Sequence, residues 1–244
     1  MFKIITTLTM FLLGLLAQAQ VTETRTITPF SKIEITDGVA LVFTQSDEIG
    51  LSAEASDALG LTSITTEVTG NVLKIGSKGN MNEPGKVYVS AHGITAISAR
   101  KHSTITLANT LESKNISIAL ASGSVFSGSI KAQDISLKAK SGAVMNVFAT
   151  SATLTGNFKS KAKVNLSGIS EMAEINTNTA ALCYARNFRS GKVAVNVGDY
   201  SSVMINANGY LNIHVAETGK VTYFGSPEKV TMQEDATAFV TNKN

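Results

Sequence analysis

Ile116-Ser-Ile-Ala-Leu-Ala-Ser-Gly-Ser-Val-Phe126 is answered nineteen residues later by Ile135-Ser-Leu-Lys-Ala-Lys-Ser-Gly-Ala-Val-Met145. Each stretch carries an alternating apolar run into a Ser-Gly corner and out into a second alternating run. The plan recurs at units opening at Ile97, Ile116, Ile135, Leu154, Ile175, Val193, Leu211 and Val230, with spacings of 19, 19, 19, 21, 18, 18 and 19 residues. Alternation of period two buries one face of a strand, and a beat of this length built from strands marks a solenoid. A helical reading fails because β-branched and hydroxyl residues abound and turn signals recur too often for helices of ordinary length.

If each unit is one lap, equivalent strands pair in parallel at roughly 4.8 Å, and eight laps make a body on the order of 35 to 40 Å long. Inward side chains then stack in ladders. Ile116, Ile135, Leu154, Ile175, Val193 and Leu211 form the first, and Ile118, Leu137, Val195 and Ile213 the next. The ladders have gaps, with Gly156 then Phe158 in the fourth unit and Thr177 and Thr179 in the fifth. These imply a local narrowing or threonine hydroxyls bonded inside. The expected fold is therefore all-β: a single-stranded parallel β-helix (β-solenoid) of about 19-residue coils over residues 97–244.

Upstream the pattern stays strand-like but loses its beat. Phe30, Ile33 and Ile35 lead through Thr36-Asp37-Gly38, a hairpin or tight-turn signal, into Val39, Leu41 and Phe43. Ile49, Leu51 and Ala53 read as a strand and residues 56–62 as a bend. The run from Ile64 to Val68, a Thr69-Gly70-Asn71 turn and Val72 to Ile75 make a hairpin. Residues 20–96 are thus a less regular N-terminal β segment, continuous with the solenoid and capping an edge that would otherwise invite pairing. At the far end, Glu234 and Asp235 put charge on the last exposed edge.

Residues 1–19 stand apart. One cation, Lys3, precedes an apolar run from Ile4 to Leu16 and an Ala17-Gln18-Ala19 pattern, which is a secretory signal peptide with cleavage after Ala19. The run is too short to span a bilayer, so the mature chain has no membrane span and is exported to the periplasm, cell surface or medium. Losing Lys3 lowers the formal charge of +3 to +2, too even to indicate nucleic acid. Cys183 is the only cysteine and lies in an apolar strand, where it reads as a small buried hydrophobe rather than a reactive thiol.

Catalytic parts are missing from the repeat. Its acids, Asp134, Glu171, Glu174, Asp199, Glu217, Glu228, Glu234 and Asp235, fall at different offsets and form no column for acid–base work. His92, His102 and His214 lack partners at metal-ligand spacing, and the glycines are spread as turn residues rather than gathered in a phosphate loop. No catalytic, metal or cofactor residue is assigned. Lys138, Lys140, Lys159, Lys161 and Lys163 recur at similar offsets in adjacent units. They are either charges that keep strand surfaces soluble or a patch for acidic glycans or lipopolysaccharide phosphates. The aromatics Phe126, Phe148, Tyr184, Phe188, Tyr200, Tyr210 and Tyr223 are scattered along the sequence and name no platform.

Pro29-Phe30-Ser-Lys-Ile33, the Gly38 turn, Thr66-Glu67-Val68 to Leu73-Lys-Ile75, Val87-Tyr-Val89-Ser90, the Ser-Gly corners and Val221-Thr-Tyr-Phe-Gly-Ser-Pro227 together resemble the putative auto-transporter adhesin, head GIN domain family. The resemblance covers roughly residues 29 to 240. It implies a β-helical protein exported by Bacteroidetes-type bacteria, and it brings no catalytic residues. The corner departs from Ser-Gly at Ser160-Lys161 and at Glu217-Thr-Gly219. The functional expectation is a secreted or cell-surface, non-catalytic, adhesin-like or structural protein whose partner is a surface glycan or envelope protein. The alternative is a carbohydrate-active enzyme whose site would need two carboxylates in one cleft.

Overall fold

A computed structural model describes residues 20–79, 84–216, 218–235 and 237–243. The leader, the corner residue Glu217 and the side chain of Glu234 lie outside the described residues. In chain order the elements begin with β1 (Val21–Thr24), β2 (Lys32–Ile35), β3 (Ala40–Gln45), β4 (Gly50–Ala55), α1 (Ala58–Ser63), β5 (Ile64–Thr69), β6 (Val72–Ser77), β7 (Lys86–Ala91), β8 (Ala96–Ala99) and β9 (Thr104–Leu107). The long strands follow: β10 (Leu111–Leu120), β11 (Val125–Ala139), β12 (Val144–Lys159), β13 (Lys163–Asn178), β14 (Leu182–Val197) and β15 (Ser202–Val215). The chain closes with β16 (Lys220–Phe224), β17 (Lys229–Glu234) and β18 (Phe239–Asn242).

From β8 onward every described pairing between these strands is parallel, as the repeat requires. Each long strand spans the end of one coil and the start of the next. In β11 the buried positions are Phe126, Ile130, Ala132, Ile135, Leu137 and Ala139. Burial lapses at Ser127-Gly128-Ser129 without a change of phase, and the phase changes at Gln133-Asp134, so the strand passes from one side of the lap to the next. With the tight corner at Ser122-Gly123, one lap has three sides around a continuous apolar core.

The tight corner is the most repetitive element. Asp37-Gly38, Lys101-His102, Ser122-Gly123, Ser141-Gly142, Ser160-Lys161, Thr179-Ala180 and Asp199-Tyr200 all hold two successive residues at positive φ. This turns the peptide groups along the axis, so corners bond to corners. Gly123 N–H donates to Ser141 O at 3.0 Å, Gly142 N–H to Ser160 O at 2.9 Å, Lys161 N–H to Thr179 O at 2.9 Å and Ala180 N–H to Asp199 O at 2.7 Å. Ser160-Lys161 departs from Ser-Gly in sequence and keeps the geometry all the same.

The pairing registers correct two ladders. Leu154 pairs with Ala173, and Ala173 with Val193, so Ala173 holds the first position and Ile175 the second, between Gly156 and Val195. Ile97 likewise pairs with Ile118, not Ile116. A slip of two keeps every side chain facing the same way, so apolar matching alone cannot detect it. At Gly156 the lap is filled from within, because an added Cβ would lie 2.7 Å from Phe158 Cζ. Thr177 is inward with no hydrogen-bond partner, and Thr179 belongs to the corner. Neither a narrowing nor bonded hydroxyls explains these positions.

The N-terminal segment does more than cap the coil. β2 pairs in parallel with β8 on one side and β6 on the other, and β3 likewise lies between β9 and β7. The segment therefore supplies two further rungs, stacked out of chain order, with β6 and β7 outermost. Antiparallel strands close the end: β5 on β6, β4 on β7 and β1 on β4. The β5–β6 hairpin is as expected. Asp37-Gly38 forms a coil corner instead of a hairpin, because β2 and β3 pair with other laps and not with each other.

Candidate functional site

Out-of-order stacking assembles one surface column from distant parts of the chain. Outward residues of successive rungs run Glu67, Lys74, Glu34, Ser98, Ala119, Lys138, Asn157, Asn176, Asn196 and His214, each paired with the next. The column crosses the strands along the solenoid axis. Its middle is floored by small residues, Ser98, Ala99, Ala119 and Ala121, and there a groove of about 860 Å³ opens beside the tight corners.

The groove is polarised. At the capped end Glu34, Asp37 and Glu67 share the lining with Lys74 and Arg100. Lys101 Nζ lies 2.8 Å from Asp37 Oδ1, and Thr69 Oγ1 donates to Glu67 at 3.1 Å. At the other end Lys138, Lys140 and Lys159 line the wall. Lys140 and Lys159 follow the paired residues Ala139 and Phe158, so two ammonium groups sit on adjacent rungs. Among the described residues no carboxylate lies within ion-pair distance of these three lysines. Like charges on neighbouring strands repel.

Of the five lysines singled out by sequence, the structure therefore gathers three. Lys161 occupies the corner, and Lys163 lies beyond it, paired between Val144 and Leu182 on the adjoining side. Next to the lysines the column continues as an amide ladder. Asn176 Nδ2 donates to Asn157 Oδ1 at 3.3 Å and Asn196 Nδ2 to Asn176 Oδ1 at 2.6 Å. Sequence reasoning missed this ladder, although Asn157, Asn176 and Asn196 recur at spacings of 19 and 20 residues. The carboxylates of the capped end also went unnoticed, because they come from the irregular segment. His214 faces outward beside Asn196, as its alternation indicates. Among the described residues no three His, Cys, Asp or Glu side chains converge to hold a metal, and no helix is long and apolar enough to cross a membrane. Cys183 is 1% exposed, and burial pushes its thiol up to about 12.

These features make the protein a capped parallel β-solenoid with a polar, lysine-walled groove. The chain belongs to the putative auto-transporter adhesin, head GIN domain family, whose pattern matches residues 29–227. Among curated proteins no relative matches. The fold is that of a putative adhesin from Parabacteroides merdae, with a TM-score of 0.86 and 18% identity over 92% of this chain and 96% of that one. It is also that of a putative lipid binding protein from Parabacteroides distasonis, with a TM-score of 0.85 and 15% identity over 92% and 97%. A putative adhesin of the same species gives a TM-score of 0.87 and 14% identity over 92% and 97%.

Proposed function

We propose that this protein is an exported, non-catalytic binding protein of adhesin type that holds an anionic surface ligand in the axial groove. The observation that carries this reading is the row Lys138, Lys140 and Lys159, three cations that meet no carboxylate among the described residues, beside a floor of small side chains. An anion relieves their mutual repulsion, and an extended one follows the groove along the axis. Family membership and the leader read from the sequence support export and an adhesin-like role. The shared chemistry is the anion, whether the uronate of an acidic glycan or the phosphate of a lipid headgroup; the lipid binding neighbour supports the second source.

The test is binding of the mature protein to polygalacturonate and, separately, to phosphatidylcholine vesicles with and without phosphatidylglycerol. A Lys138→Ser, Lys140→Ser, Lys159→Ser variant serves as the control. Each lysine at an anionic surface contributes roughly 1 kcal/mol, so the triple variant should bind on the order of 100-fold more weakly, and added salt should weaken the wild type likewise. Equal affinities for wild type and variant would overturn the reading. Glu34, Asp37 and Glu67 in the lining of one groove raise the alternative of polysaccharide cleavage. Lys74 lies between Glu67 and Glu34 in the column, and Asp37 is held by Lys101, so we expect no new reducing ends from polysaccharide incubated with the protein.

A further inference from the structure

We infer that the side of the coil beyond the tight corner carries a second binding site, one for the rings of an uncharged saccharide. Phe148 and Tyr184 stand 53% and 41% exposed, in a chain with no tryptophan. They line one recess of about 540 Å³ together with Asn146, Asn165, Arg186 and Asn187. Pairing places Asn146 beside Asn165 and Asn165 beside Tyr184, with Phe148 on the Asn146 rung. The two rings are thus two rungs apart, on the order of 10 Å along the axis.

The polar groups between them are already oriented. Asn165 Nδ2 donates to Asn146 Oδ1 at 2.7 Å, and Asn146 Nδ2 donates to Ser127 Oγ at 3.3 Å. Each amide nitrogen keeps a second N–H for a ligand. Among the described residues no lysine or carboxylate lines the recess, and the one charged group there, Arg186, stacks 4.6 Å over the Phe224 ring. The backbone is irregular here as well. Register breaks between Asn165 and Ser167 against β14, and between Ala185 and Arg189 against β15, while the β11–β12 and β12–β13 pairings across the same side show no such shift. Gly168, at φ 112, stands where an added Cβ would fall on Ala149 O. Bulges re-aim side chains, and this one brings Arg186 and Asn187 to the recess rim.

Ring faces with negative quadrupoles, flanking an array of amide donors and acceptors, match a pyranose, which offers an apolar C–H face and hydroxyls at its edge. An anion would find ring faces and one engaged guanidinium. A purely apolar ligand would strand the amides. A short run of linked sugar rings reaches from Phe148 to Tyr184.

The test is calorimetric titration of the mature protein with cellohexaose, mannohexaose and xylohexaose, each separately. At least one should bind saturably. Phe148→Ala and Tyr184→Ala should each weaken it tenfold or more, with unchanged melting temperatures because both side chains are exposed. Tyr184→Phe should stay within about threefold, and the triple lysine variant should bind like wild type. Absence of binding to all three sugars would overturn the inference, as would affinities that survive both alanine substitutions. Self-association of the wild type that Phe148→Ala abolishes would also overturn it, by making the recess a contact between copies.

Discussion

Thr177 lies inward between Phe158 and Val197 on the adjoining rungs, 4% exposed, with a hydroxyl that meets no partner. An unpaired buried hydroxyl costs its full desolvation. Thr177→Val keeps the shape and removes the polar atom, so urea unfolding should show a gain of about 1 kcal/mol; a loss would reveal a partner. Cys183 makes a different prediction. Its thiol is raised by burial from 9.0 to about 12, so the native protein should resist thiol reagents at pH 8 and react on unfolding. With the folded value above the unfolded one, the contribution to stability is intact below about pH 9. It is lost as pH rises from there towards about 12. Between pH 8 and 10 the wild type should lose about 1 kcal/mol more stability than Cys183→Ala.

The tight corner sets stability at the scale of the element. Positive φ is free for glycine and costs other residues about 1–2 kcal/mol, partly offset by glycine's greater freedom when unfolded. Lys161, Ala180 and Tyr200 occupy the second corner position at positive φ, where Gly123 and Gly142 stand elsewhere. Ala180→Gly should therefore stabilise the protein by about 0.5–1 kcal/mol, and Gly142→Ala should destabilise it by about 1 kcal/mol, measured by thermal or urea unfolding. From Gly38 to Ala180 the second corner residue bonds backbone to backbone, which is why Ser160-Lys161 forms the same turn as Ser141-Gly142, whereas Tyr200 N–H donates to Thr218 Oγ1 at 3.0 Å. Matching Ser-Gly pairs in the sequence finds the tidy corners and overlooks the strained ones.

For the whole molecule, the two ends differ. The N-terminal end is closed by the antiparallel strands β1, β4 and β5 and by α1, and Leu61 of α1 joins the core. At the other end β17 and β18 are the last rungs, with Met232 and Phe239 largely exposed. Deleting residues 20–94 would bare the edges of β8 and β9 and the core behind them. Light scattering after size exclusion should then show aggregates where the full mature chain shows none, and a variant that matches the full chain would mean the cap is dispensable. Both candidate sites also belong to this scale. The groove needs Glu34, Lys74 and Lys138 on one column, although they lie far apart in the chain. The recess needs Phe148 and Tyr184, 36 residues apart in sequence, on one side.

The parallel coil, its beat, the inward residues and the outward lysines were legible in the amino-acid sequence, because alternation and turn chemistry are local properties of the chain. So were the hairpin at Gly70 and the apolar setting of Cys183. The order of the first three rungs, the registers at Ile97 and Ala173, the split of the lysines by the corner and the placing of Phe148 and Tyr184 in one recess came from the folded chain alone. Parallel pairing joins strands across long connections and tolerates a slip of two without turning a single side chain, so no local pattern records which rung lies beside which.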